Sequence, residues 1–332
     1  MSNARLDLRA ALPLVILFAS PGADAADDAH AWLTRMSEAA RTLNFAGTFV
    51  YQHDNQLDSM RIVHKLRDGR AHERLVSLTG VAREVVRDER EVRCYLPDQN
   101  SVVVEHRKAD GRRFPAILPP SARELERSYR ITLGKQGRVA DRRAQAVRIE
   151  PKDGYRYGYH LWADRDTGLL LKASLIDEQQ RVVEQFLFTE ITIGGEIPDS
   201  ELEPRNPAKD YVWYRSNGLE SGKEIDSPKA WSAGQLPEGF ALTMHVTRKV
   251  PTRRLPVEHM VFSDGLAVVS VFVERLGERG ADAADPSGIE GLTEIGAVHA
   301  LGRVVGDHQV TVVGEVPAQT VELIAAGIEP VK

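Results

Sequence analysis

From residue 45 to residue 193 the apolar residues of this chain recur at every second position, in short runs. The runs are 45–52, 60–66, 73–78, 83–87, 91–96 and 101–106, then 138–140, 146–150, 155–163, 169–177 and 182–193. A period of two places alternate side chains on opposite faces of a strand. Turn-formers such as Asp68-Gly69, Thr79-Gly80 and Pro97-Asp98 separate the runs. Short turns join antiparallel neighbours, so the pattern predicts a meander. A sheet of this many strands twists and curls instead of staying flat. A helix over 29–43 precedes it, with Trp32, Met36, Ala40 and Leu43 at helical spacing and Asp27 or Asp28 as cap. A second helix is expected near Ser121, where Ser121 and Glu124 fit a capping box.

The start of the chain reads as an export signal. Arg5 and Arg9 precede the apolar run 10–19, and Ala23 and Ala25 flank a cleavage point, so the mature chain is expected to begin near Ala26. That run is about half of the roughly 20 residues a membrane helix needs. No cysteine stands beside the cleavage point, so no lipid anchor is expected there. The formal charge of −5 argues against a general nucleic-acid partner, which asks for a basic surface. The single cysteine, Cys94, has no partner for an intrachain disulfide and reads as a small hydrophobe in a strand.

Composition shifts over 198–230, where Pro198, Pro204, Pro207 and Pro228 occur among charges. This predicts a linker between a first domain, 26–197, and a second, 231–332. Tyr211, Trp213 and Tyr214 interrupt the linker and are expected to dock on a domain. In the second domain strands are expected at 241–248, 259–262, 266–274, 294–305 and 309–316. A Gly/Ala/Asp-rich loop falls at 277–291, and a final helix starts after Pro317. The sum is a small antiparallel sheet packed on one helix.

Within it, Ser263, Asp264 and Gly265 form a hairpin turn, Asp-Gly being the strongest short hairpin signal. The outgoing strand is apolar on both sides. Leu266, Val268 and Phe272 point one way; Ala267, Val269, Val271 and Val273 point the other. Such a strand is either covered on both faces or has a second face awaiting a partner.

Signs of catalysis are few. The sequence has no G-x-S-x-G, no H-E-x-x-H, no phosphate-binding glycine loop and no paired cysteines. The ten histidines are scattered; His64, His72 and His106 lie in different strand runs and are read as ordinary histidines before a metal site. The run Asp164 to Gly168 is read as a turn, because an EF-hand would need Glu where Leu175 stands. Tyr155, Tyr157 and Tyr159 alternate on one strand face. Neither a metal nor another cofactor is expected. The loop 107–120 carries Arg112 and Arg113 beside Phe114, Ile117 and Leu118, a mixture that suits an anionic amphiphile as well as a loop folded on the body.

Several motifs resemble the RseB/MucB family. They are Arg83-Glu84-Val85-Val86; Trp162-Ala163-Asp164 with Thr167-Gly168-Leu169; Glu184-Gln185-Phe186; Val257-Glu258 followed by Phe262-Ser263-Asp264-Gly265-Leu266; and 310–317 with Gln319-Thr320. The resemblance implies an α+β chain: a strongly curved antiparallel half-barrel of the LolA/LppX lipoprotein-carrier type, with helices and an apolar cavity on its concave side, then a small C-terminal domain. It implies a periplasmic, non-catalytic regulator of an envelope-stress sigma factor. Such a protein binds the periplasmic segment of a membrane anti-sigma factor, shields it from regulated proteolysis, and lets go on a lipid or lipopolysaccharide signal. Glu258, Ser263, Asp264, Gly265, Leu266, Val268 and Phe272 are then the expected partner contacts, and Arg112, Arg113, Phe114, Ile117 and Leu118 the lipid rim. The alternative is a periplasmic lipid or lipoprotein carrier working through the first domain; an exported hydrolase comes third. A homodimer is left open.

Overall fold

A computed structural model describes residues 23–53, 56–106, 122–205, 208–216, 223–249, 255–276 and 290–331. Residues 1–22 of the expected leader, the lipid rim and nearly all of the loop 277–291 fall outside these residues. Helix α1 (Ala23–Thr42) leads into β1 (Phe45–His53), β2 (Gln56–Arg67), β3 (Arg70–Ser77), β4 (Glu84–Arg87), β5 (Glu91–Leu96) and β6 (Ser101–His106). The short helix α2 (Ala122–Leu125) then precedes β7 (Tyr129–Val139), β8 (Arg142–Pro151), β9 (Gly158–Asp164), β10 (Leu170–Ile176) and β11 (Val182–Ile193). With β12 (Val212–Ser216) they make one twelve-stranded sheet, ordered β12-β6-β5-β4-β3-β2-β1-β11-β10-β9-β8-β7.

The sheet is strongly curved. Strand β7 stands four places from β11, which on a flat sheet is about 19 Å. Residues of β7 and β11 nevertheless lie within 8 Å, Cα to Cα. Helix α1 lies in the hollow of that curl, against β7, β8 and β10. Its Ala29, Leu33, Met36 and Ala39 join Phe45, Phe49, Ile62, Val147, Leu161 and Phe188 in one buried core. Each large apolar side chain taken out of water there contributes roughly 2 kcal/mol. The turn at Asp164 holds as read: its Oδ1 accepts the Thr167 amide at 2.8 Å, and its Oδ2 accepts from Arg142 at 2.7 Å. Both bonds favour the ionised carboxylate, whose pKa lies below the usual range although burial opposes this. No helix among the described residues is long and apolar enough to cross a membrane.

The stretch 198–230 is not a free tether. Ile197 and Leu202 cover Val63 on the outer face of the sheet, which explains why Ile62, Val63 and His64 are all buried. The buried Arg74–Glu84 pair sits under the same segment, with the Arg205 amide donating to Glu84 at 3.2 Å. Ala208 and Tyr211 pack on Val86, Tyr95, Val102 and Val104, and β12 then runs parallel to β6. Trp213 meets the Tyr95 ring edge-on at 6.2 Å. The linker aromatics therefore finish the edge of the first sheet.

The second domain is a seven-stranded sheet. Its strands are β13 (Lys223–Ile225), β15 (Ala241–Lys249), β16 (Val257–Ser263), β17 (Val268–Arg275), β18 (Gly291–Ile295), β19 (Val298–Val305) and β20 (His308–Gly314), in the order β13-β15-β16-β17-β20-β19-β18. Between β13 and β15 lies β14 (Trp231–Ala233), which pairs with the final strand β21 (Ile328–Pro330) behind helix α3 (Ala318–Gly327). The run 294–305, expected as one strand, is a hairpin, because Gly296 takes a positive φ and reverses the chain between β18 and β19. Helix α3 covers one face of the sheet. Val321, Ile324 and Ala325 pack there on Met260, Phe262, Val269, Val271, Val310 and Val312.

Candidate partner-binding surface and its setting

The residues singled out around the hairpin fall into three groups. Ala267, Val269, Val271 and Val273 face α3 and are core. Val268 and Phe272 lie on the opposite face, with Val261, Ser270 and Val313, which the strand register sets beside them. On this second face Val261, Val268, Ser270, Phe272 and Val313 are half-buried, whereas α3 lies against the opposite face. Phe272 stacks on His259 at 4.3 Å between ring centroids. The result is an apolar strip on the middle strands, on the face away from α3.

Glu258 belongs to the core face and is 7 % exposed. Its carboxylate accepts the amides of Ala230 and Trp231 at 3.2 and 3.1 Å and pairs with His245 at 2.5 Å. It therefore ties the entry of β14 to β16. Ser263 works inside the turn, donating to the Ala267 carbonyl at 2.8 Å and accepting the Gly265 amide at 3.0 Å. Gly265 is exposed and takes a φ of 98°, as an Asp-Gly turn asks.

Asp264 and Leu266 turn toward the first domain. Leu266 packs on the core under α1. Asp264 pairs with Arg156 at 3.0 Å, both side chains 0 % exposed, and accepts the Tyr129 hydroxyl at 2.9 Å. Burial, with Asp264 alongside, pushes the Tyr129 phenol well above its ordinary pKa. The guanidinium of Arg156 also donates to the Glu238 carbonyl at 2.6 Å and lies 5.0 Å from the Phe240 ring centre. Gly239 passes so close to Ser128 that a Cβ would clash, and its φ of 87° favours glycine in any case. Thr320 donates to the Tyr155 carbonyl at 2.6 Å, and Ala297 packs with Tyr157 and Leu175. All these contacts belong to one end of the second sheet, where β15 begins, β16 turns into β17 and α3 starts. The second domain thus docks end-on, and the strip with Val268 and Phe272 lies outside this contact.

Sequence reasoning missed Arg156 and Tyr129. The only signal was a charged residue set among tyrosines, and Tyr155 and Tyr157 lie before β9, at the domain contact. His64 and His72 face opposite sides of the first sheet, His64 beside Glu73 and His72 beside Lys65, so the structure does not bring them together. Cys94 is half-buried in β5, and burial raises its thiol pKa.

Two family models match in succession. The MucB/RseB N-terminal domain matches residues 28–206, and the MucB/RseB C-terminal domain matches 226–329. The chain belongs to the MucB/RseB family. MucB of Pseudomonas aeruginosa, a sigma factor AlgU regulatory protein, is 35 % identical over 95 % of this chain and 94 % of its own. The sigma-E factor regulatory protein RseB of Haemophilus influenzae is 28 % identical over 96 % of each chain. A crystal structure of MucB in complex with MucA(peri) aligns with a TM-score of 0.68 at 31 % identity, over 92 % of this MucB/RseB chain and 99 % of that one.

His259 gives the strip a pH signature. Burial and the neighbouring Arg248 hold its pKa down to about 4, against an ordinary 6.5. Between those values the unfolded chain binds a proton that the folded chain does not, so stability falls as pH drops from 6.5 toward 4. Melting temperature measured from pH 7 to pH 4 is expected to fall less steeply in His259→Gln than in the parent protein; equal slopes would contradict this.

Proposed function

We propose that this chain is a periplasmic regulatory binding protein and not an enzyme. Its second domain holds the periplasmic segment of a membrane-spanning anti-sigma factor on the face of the seven-stranded sheet away from α3. The observation that carries this reading is the half-buried apolar strip of Val261, Val268, Phe272 and Val313 on the face away from α3, in a family with a MucB structure in complex with MucA(peri). An amphipathic segment laid there buries its apolar side against an existing surface. Captured in this way, the segment is withheld from proteolysis, and the sigma factor stays sequestered. A lipid or lipopolysaccharide signal, taken up at the rim of Arg112, Arg113, Phe114, Ile117 and Leu118, lowers the affinity; this needs the signal to prefer the partner-free form. The working units are 26–197 and 231–332, bridged by 198–230.

A protection assay tests the reading. The mature chain should slow cleavage of the isolated anti-sigma periplasmic segment by a soluble protease, and added lipopolysaccharide should restore it. Charge reversal at Arg112 and Arg113 should blunt the lipopolysaccharide effect alone. Unchanged cleavage in the presence of the protein would overturn the reading.

A further inference from the structure

The contact between the two domains is centred on a charge pair that water does not reach. Asp264 has two jobs there. Its Oδ2 faces the first domain, pairing with Arg156 at 3.0 Å and accepting from Tyr129 at 2.9 Å. Its Oδ1 faces its own hairpin, accepting the amides of Leu266 and Ala267 at 2.9 and 2.7 Å. One carboxylate therefore ties the docked position of the second domain to the shape of the turn between β16 and β17.

We propose that Asp264, Arg156 and Tyr129 form a latch, closed when the second domain is docked, and that closure pre-organises the partner-binding strip. The proposal rests on the reading of that strip given above. Arg156 also pairs with Asp153 of its own domain at 3.2 Å, so separation without rehydration strands chiefly Asp264, and the contact has two stable conditions, closed and dry or open and wet, with little between. When closed, the turn is held from both sides and the register of β16 on β17 is fixed. Val268 and Phe272 are then already placed, and binding orders less of the protein. When open, the hairpin keeps only its internal bonds, and the partner leaves sooner. An event on the first domain that disturbs Leu125 or Tyr129, which sit under the turn, thereby reaches a face it does not touch.

Asp264→Asn separates the two jobs. The asparagine oxygen still accepts from Leu266 and Ala267, whereas the charge facing Arg156 and the acceptor for Tyr129 are lost. Asp264→Ala removes both jobs, and Tyr129→Phe removes a single hydroxyl. Small-angle scattering of the mature chain should show a larger radius of gyration for Asp264→Asn. Dissociation of the anti-sigma periplasmic segment should be about tenfold faster. Tyr129→Phe should move both readouts the same way by less, and Asp264→Ala by more. If Asp264→Asn does not accumulate as a folded protein, Tyr129→Phe decides alone. Unchanged scattering would overturn the latch. Open domains with an unchanged dissociation rate would overturn its link to the strip. Should the parent protein not bind the segment at all, the partner reading fails, and the scattering still decides the latch.

Discussion

Phe272→Ser is expected to weaken capture of an anti-sigma periplasmic segment by about 2–4 kcal/mol, roughly a hundredfold in Kd. Phe272 is the one aromatic residue of β17, and β17 sits between β16 and β20 in the middle of the sheet. Its ring lies flat on His259 at 4.3 Å, so it is already held in place before a partner arrives. Pre-held aromatic anchors near the centre of a contact lose the least entropy on binding and carry the most energy. The neighbouring Ser270 shows that a hydroxyl is tolerated on this face. The folded protein should therefore survive, and calorimetric titration should show weaker binding with a nearly unchanged melting profile. Val268→Ser should act in the same direction with a smaller effect.

Glu258→Ala should do the opposite. Its carboxylate satisfies the Ala230 and Trp231 amides and the His245 ring at a buried position. Trp231 is itself 5 % exposed and part of the core under α3. Truncation leaves the buried Trp231 amide and the largely buried His245 ring without this acceptor, at a cost of about 3 kcal/mol together. The melting transition of the second domain should fall by roughly 10 °C. Glu258 as a partner contact would give the reverse pattern, with lost binding at an unchanged melting temperature. Differential scanning calorimetry beside titration separates the two accounts.

These two residues show how far the sequence could be read. Alternation along 266–273 separates an inward set from an outward set, and the structure places Val269 and Val271 under α3 and Val268 and Phe272 on the other face. That followed from the period of a strand alone; Leu266, read with the outward set, instead precedes β17 and packs on the core of the first domain, because the strand begins only at Val268. Glu258 shares the parity of Met260 and Phe262 and so falls on the core face, but what its carboxylate meets depends on where the chain enters β14, and that contact is not local. Asp264 and Gly265 announced a turn but not its surroundings. Arg156 meets Asp264 only because the sheet curls and the second domain docks end-on. The same limit applies to β12. Its aromatic residues were expected to dock, but parallel pairing with β6 spans a long connection and leaves no local signature. The curl of the first sheet was foreseeable from the number of strands, whereas the burial of both faces of β2 depends on Ile197 and Leu202 folding back across it.

Photocrosslinking tests most directly whether the face of the second sheet away from α3 is where the partner sits. A photoreactive residue in place of Val268 should capture the anti-sigma periplasmic segment on illumination. The same residue in place of Leu57, which is 66 % exposed on β2 of the first sheet, should capture none. Capture at position 57 with none at 268 would contradict the account.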